Sequence, residues 1–210
     1  MLNRVTVVAV IMAVTAFPGL GLAQGTGKTA AAAPPADQVA RFTTDGNLLH
    51  PRGWDGWVMV GSSTGLSYDA PQTAPAAGAS PGMFHNVYMQ PWAYRYVKEH
   101  GAFPEGTMLI LTFYESSRKS NPARAGFYEG DRLPGVEVHL KKTGVDPSGW
   151  GFYTFSDDTS SAAERLPGNA PCYACHSKEA AFDQAFVQFY PALRPRLLGK
   201  PDSTLTSAQE

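Results

Sequence analysis

Both cysteines of this 210-residue chain sit in one short run, Cys172-Tyr173-Ala174-Cys175-His176. The spacing is C-x-x-C-H. Two thiols so placed can add across the two vinyl groups of haem and fix the porphyrin to the chain. His176 then sits under the iron and offers an imidazole nitrogen as proximal ligand. Three other uses of the pair compete. A thiol oxidoreductase carries C-x-x-C at a helix start, but no βαβ frame leads into this one, and a His after the second Cys is foreign to that chemistry. Zinc would need a second pair of ligands at short spacing, and none follows. A disulfide between residues three apart is strained and closes almost no loop. The expectation is one haem c, covalent through Cys172 and Cys175, with His176 as the metal ligand.

The sixth coordination position decides what such an iron does. A Met or His there makes a low-spin electron carrier that serves a soluble redox partner. An open position makes a gas binder or a catalyst. Met59, Met83, Met89 and Met108 fall in strand-like apolar segments and read as core filler. His50, His85, His100 and His139 are scattered and read as surface or hydrogen-bonded residues. His139 shares the polar side of its strand with Glu137, which a solvated face would explain. The residues alone leave both kinds of cytochrome open.

Haem attachment of this kind takes place outside the bacterial inner membrane, and the N-terminus fits export. Arg4 precedes an apolar run from Val5 to Phe17, too short for a comfortable span. Pro18 and Gly19 break it, and Gly21-Leu22-Ala23 suits a signal peptidase. Residues 1–23 therefore read as a signal peptide and 24–37 as an Ala/Pro-rich linker. Residues 38–198 read as the folded domain and 199–210 as a flexible tail. The mature chain is expected to be periplasmic or otherwise exported, with no membrane span. Composition excludes other classes. The net charge of -1 argues against a nucleic-acid partner. Charged residues are 17 %, below the roughly 25 % of an average soluble chain. With 11 % aromatics a real core is available, and coiled-coil or disordered acidic chains are excluded.

The elements that must position the motif are mostly strands. Five segments carry alternation or aromatic content between Gly/Pro turns: Trp57–Val60, Met83–Met89, Thr107–Tyr114, Val136–Lys141 and Trp150–Phe155. Pro91–His100 reads as a helix that opens on Pro and stops at Gly101. Lys178–Leu193 reads as a second helix. Residues 64–82 and 116–135 read as long loops. The fold class is α+β: a mainly antiparallel sheet with a few helices, the haem packed against the sheet.

The order of these segments resembles the cytochrome P-460 family, whose fold is shared with cytochrome c′-β. The resemblance runs from about Trp54 to Pro191. It rests on a strand ending Gly61-Ser62-Ser63, then Phe84-His85-Asn86-Val87-Tyr88, then a short helix. Next come Phe103-Pro104-Glu105-Gly106-Thr107, the Val136–Lys141 strand and Gly149-Trp150-Gly151-Phe152. The late C-x-x-C-H and Phe186-Val187-Gln188-Phe189-Tyr190-Pro191 close it. It implies a homodimer with one c-type haem, a His on one side of the iron and an open pocket on the other. Family members oxidise hydroxylamine or handle nitric oxide.

One departure bears on the activity. Hydroxylamine-oxidising members carry a lysine, on the strand after the Pro-acid-Gly turn, that bonds to the haem edge. Here that strand, Thr107–Tyr114, holds no lysine, and Leu111 takes its place. The resemblance then favours uncrosslinked haem and a small diatomic or nitrogenous ligand, nitric oxide ahead of hydroxylamine. On an alternating strand Leu109, Leu111 and Phe113 share a face. If that face covers the distal side, the pocket is crowded, apolar and without a strong hydrogen-bond donor, with Phe84 as a second cap. Glu137 matches an acidic position of the family and would accept protons during substrate oxidation.

Overall fold

A computed structural model describes residues 34–66, 80–118, 122 and 125–199. The expected signal peptide, most of the linker and residues 200–210 of the tail lie outside those residues.

A six-stranded antiparallel sheet organises the domain. In chain order its strands are β2 (Val58–Thr64), β3 (Phe84–Met89), β4 (Met108–Arg118), β5 (Phe127–Arg132), β6 (Val136–Lys141) and β7 (Trp150–Phe155). The spatial order is β2-β3-β4-β6-β7. Strand β4 pairs with β3 along one edge and shares its other edge between two strands: Met108–Leu111 pair with β6, and its outer half pairs with β5. Two short strands, β1 (Leu48–Leu49) and β8 (Ala162–Ala163), form a separate antiparallel pair. The helices are α1 (Pro91–His100), α2 (Pro171–Glu179) and α3 (Arg194–Leu197). The mainly antiparallel α+β class read from the sequence is the observed one.

Alternation sorts each strand onto two faces. Met108, Ile110, Val136, Val138, Leu140, Tyr153 and Phe155 turn to one side and pack with Leu48 and Trp57. Val60, Val87, Met89, Leu109 and Trp150 turn to the other, against Ala93 and Val97 of α1 and the chain from Ala185 to Leu193. The chemistry lies on this second side. Gln90, fully buried at the start of α1, ties the helix to the sheet. Its Oε1 accepts from the Met108 N–H at 2.7 Å, and its Nε2 donates to the Gly106 carbonyl at 2.9 Å.

Two sequence expectations are corrected. Residues 116–135 are not a loop: β4 continues to Arg118 and β5 returns along it. The predicted helix Lys178–Leu193 lies elsewhere. The helix is α2, it starts at Pro171, and it carries the cysteines. Beyond Glu179 the chain turns at Phe182–Ala185, where Asp183 and Gln184 take φ of 43° and 61°. These are the only non-glycine residues with positive φ among the described residues. Each such residue costs on the order of 1–2 kcal/mol, so contacts outside the segment must hold it.

Candidate functional site

Helix α2 sets out the chemistry. Cys172, Cys175 and His176 stand at i, i+3 and i+4, which places them on one helical face. Pro171 occupies the first turn, where its missing N–H costs nothing. Tyr173, inside the motif, anchors the helix. It is buried, meets Phe152 edge-on at 4.8 Å and donates its hydroxyl to the Leu166 carbonyl. Both cysteines are half-buried free thiols. Burial pushes the Cys172 thiol up, and the Glu137 carboxylate adds to the shift.

His176 is held from several sides. Phe186 and Phe152 flank its ring at 4.4 and 4.6 Å, and His139 stands edge-on at 4.7 Å. Its Nδ1 lies 2.6 Å from the Gln184 carbonyl. A carbonyl can only accept, so Nδ1 carries the hydrogen and Nε2 keeps its lone pair. Burial holds the imidazole below its ordinary pKa, partly offset by that carbonyl. A neutral imidazole with a free Nε2 is the form a metal needs.

The motif faces a cavity of about 370 Å³, walled by the sheet and the returning chain. Cys172, Cys175 and His176 line it from α2. Leu109 and Leu111 line it from β4, His85 and Val87 from β3, Glu137 and His139 from β6, and Phe152 and Thr154 from β7. Phe186, Phe189 and Tyr190 close it, pressed against Gly61. A Cβ on Gly61 would stand 2.7 Å from Tyr190 Cδ1 and 2.8 Å from the Phe189 carbonyl. The segment approaches so closely because residue 61 has no side chain. The donor set fits haem c: two thiols and an imidazole share one helical face, beside an aromatic and aliphatic cavity. Zinc fits less well, because no cluster of three or more potential ligands exists among the described residues.

The distal expectations divide. Leu109, Leu111 and Glu137 line the cavity. Phe84 does not: it pairs with Tyr114 across β3 and β4, one residue out of phase with His85, and so belongs to the opposite face. Phe113 shares the cavity face but does not line it, and its ring meets the edge of His85 at 5.2 Å. The pocket is therefore not purely apolar, since His85, Ser63, Thr154 and Glu137 all border it. Among the described residues no methionine lines it; Met89 and Met108 are buried in the two cores, and Met59 and Met83 are exposed.

The reading of Glu137 and His139 as a solvated face divides: His139 is buried, whereas Glu137 stays exposed where it borders the open cavity. The polar side of β6 is the inner side. His139 is 7 % exposed, stacks on Phe152 at 4.1 Å and leaves its Nε2 unpartnered. Burial, with His176 and Lys141 nearby, holds it well below the usual histidine range. Glu137 keeps accessible surface because the cavity is open, yet protein surrounds it on most sides. That enclosure raises its carboxyl above the ordinary range.

A family model described as Cytochrome P460 matches residues 51–187. The chain belongs to the cytochrome P460 family. The match spans every strand of the main sheet and the whole C-x-x-C-H helix. As a cytochrome P460 the chain is a haem c-binding protein. No curated protein matches it. Among the described residues no helix is long and apolar enough to cross a membrane.

Sequence reasoning missed His85 and the turn at Phe182–Ala185. Phase on β3 could have found the first, since Val87 and Met89 are its core-facing residues. Nothing local announces the second.

Proposed function

We propose that this protein is an exported monohaem cytochrome, covalently loaded through Cys172 and Cys175. His176 is the proximal ligand, and the distal side is open to small nitrogen species. One observation carries the reading: both thiols and His176 line a single cavity together with Leu109, Leu111 and Glu137 of the sheet. Haem supplies an open coordination position and a one-electron couple when bound. The chain does the rest. Gln184 fixes the tautomer of His176. Leu109 and Leu111 exclude water, which favours a neutral diatomic ligand. Glu137, whose carboxyl pKa is raised above the ordinary range by burial, borders the cavity as a group that can accept and return a proton.

Nitric oxide binding or conversion suits this pocket better than hydroxylamine oxidation, because Leu111 stands where oxidising members have their cross-linking lysine. A homodimer accords with the family. A six-coordinate electron carrier is the second reading, and the cavity position of His85 favours it.

Spectra of the full-length haem-loaded protein decide between these. The ferrous form is expected to bind carbon monoxide and nitric oxide, with a high-spin spectrum before addition. A low-spin ferrous spectrum and no carbon monoxide adduct would hand the site to electron transfer. Covalent loading is checked on a denaturing gel: Cys172→Ala with Cys175→Ala should abolish the haem stain.

A further inference from the structure

The turn that holds His176 is itself held, at some distance from the cavity. Phe182 and Ala185 pair across it: Ala185 N–H donates to the Phe182 carbonyl at 2.8 Å. Both central residues have positive φ, as a type I′ turn requires. Asp suits the first central position of such a turn, but Gln is a poor residue at the second, where Gly is favoured. Contacts beyond the turn supply what the sequence lacks. The Asp183 carboxylate accepts from Trp150 Nε1 at 3.1 Å and from Lys141 Nζ at 2.7 Å. Lys141 also lies over the Trp150 ring, 5.0 Å from its centroid. Phe103 braces the assembly, edge-on to Trp150 at 5.6 Å and to Phe182 at 5.9 Å.

We infer that Asp183, clamped between Trp150 and Lys141, is a positioning residue that holds the Gln184 carbonyl against the His176 imidazole. The inference rests on the haem reading of His176. The physical chain is short. Trp150 and Lys141 stand on the sheet, so Asp183 ties the turn to the most rigid part of the fold. The neighbouring residue then presents its carbonyl at 2.6 Å. A strong acceptor on Nδ1–H makes the imidazole more electron-rich, strengthens its bond to iron and favours the ferric state. Releasing Asp183 lets the turn relax, and that acceptor weakens.

The test uses the full-length haem-loaded protein and two readouts, the iron–histidine stretching frequency and the midpoint potential. Asp183→Ala is expected to lower the frequency. It should shift the couple toward ferrous iron by about tenfold, or ~59 mV for one electron. Asp183→Asn should keep most of the wild-type values, because Asn tolerates positive φ and can still accept from Trp150. Lys141→Met and Trp150→Phe each remove one arm and should shift both readouts in the same direction by less. They carry the test if Asp183→Ala does not fold. Lys98→Met, on the exposed side of α1, controls for lost charge and should change neither readout.

Haem-loaded Asp183→Ala, or both single-arm variants, with wild-type frequency and potential would overturn the clamp. So would Asp183→Asn shifted as far as Asp183→Ala, because charge alone would then be sensed. A wild-type chain that takes up no covalent haem would overturn the haem reading itself, and the stain separates that failure from the others.

Discussion

Leu111 and Glu137 are direct cross-strand partners on the cavity face of the sheet. An aliphatic side chain and a carboxyl with a raised pKa therefore stand side by side, in the cavity that the C-x-x-C-H helix also lines. The pair combines apolar cover with a proton acceptor.

On the proposed reading Leu111 covers the ligand side of the haem. The wild-type ferrous protein should show the Soret band of an ordinary c-type haem. A strongly red-shifted band would restore the cross-link and the oxidase reading with it. Leu111→Ala removes apolar cover without adding a charge. Carbon monoxide association, followed by flash photolysis, should speed up severalfold while the haem stain stays intact. An unchanged rate would place the ligand route elsewhere.

Gln90 is a stability prediction independent of haem. Its side chain satisfies two backbone groups at the junction of α1 and β4. Gln90→Leu fills similar space but leaves the buried Met108 N–H unpaired and removes a partner from the Gly106 carbonyl. The expected cost is about 2–3 kcal/mol, seen as a lower midpoint in urea unfolding. A midpoint within error of wild type would mean that neighbouring groups take over both bonds.

Much of the fold was legible because strand alternation is a local signal. Val136–Lys141, Trp150–Phe155 and Pro91–His100 have the bounds their patterns imply. The haem motif was legible because its spacing is itself the chemistry. What failed depends on contacts between segments. Residues 178–190 are rich in Ala and Phe with no Gly or Pro, so they read as helix. The chain turns there because Trp150 and Lys141 hold Asp183, and neither lies nearby in sequence. Residues 127–132 look polar because β5 extends beyond both cores and pairs only with the outer half of β4. Alternation separated Glu137 and His139 from Val136 and Val138, but it could not say which face meets water. Both faces of β6 are covered, and the polar one borders the cavity.

Gly61 tests the back wall of the cavity. One of its near neighbours is backbone, the Phe189 carbonyl, so a methyl group cannot be accommodated by a rotamer change. Gly61→Ala should displace the Phe189–Tyr190 segment and cost about 1–3 kcal/mol. The same displacement should widen the ferric haem spectrum, because Phe189 packs on Phe186 at 5.9 Å and Phe186 flanks His176. Thermal unfolding and the absorption spectrum of the loaded protein check both. A fully stable variant with an unchanged spectrum would show that the contact is slack.

Glu137 gives a pH dependence whose sign follows from its raised carboxyl pKa. The fold binds this proton more tightly than the unfolded chain does. Its contribution to stability is therefore fully present below the unfolded carboxylate range. It is lost as pH rises through the folded pKa, where an enclosed charge must form. Burial and then the Glu137 carboxylate raise the Cys172 thiol in turn, and that thiol would be consumed on haem attachment. Glu137→Gln keeps the shape and removes the titration. Its thermal midpoint should match wild type below the unfolded carboxylate range, exceed it as pH rises through the folded pKa, and level off above. Parallel midpoint curves for the two proteins would show that Glu137 is solvated like a surface carboxylate. The variant also separates binding from conversion. Ferrous nitric oxide affinity should be retained, whereas any proton-coupled oxidation of a nitrogen substrate should fall, because the one carboxyl that lines the cavity among the described residues is gone.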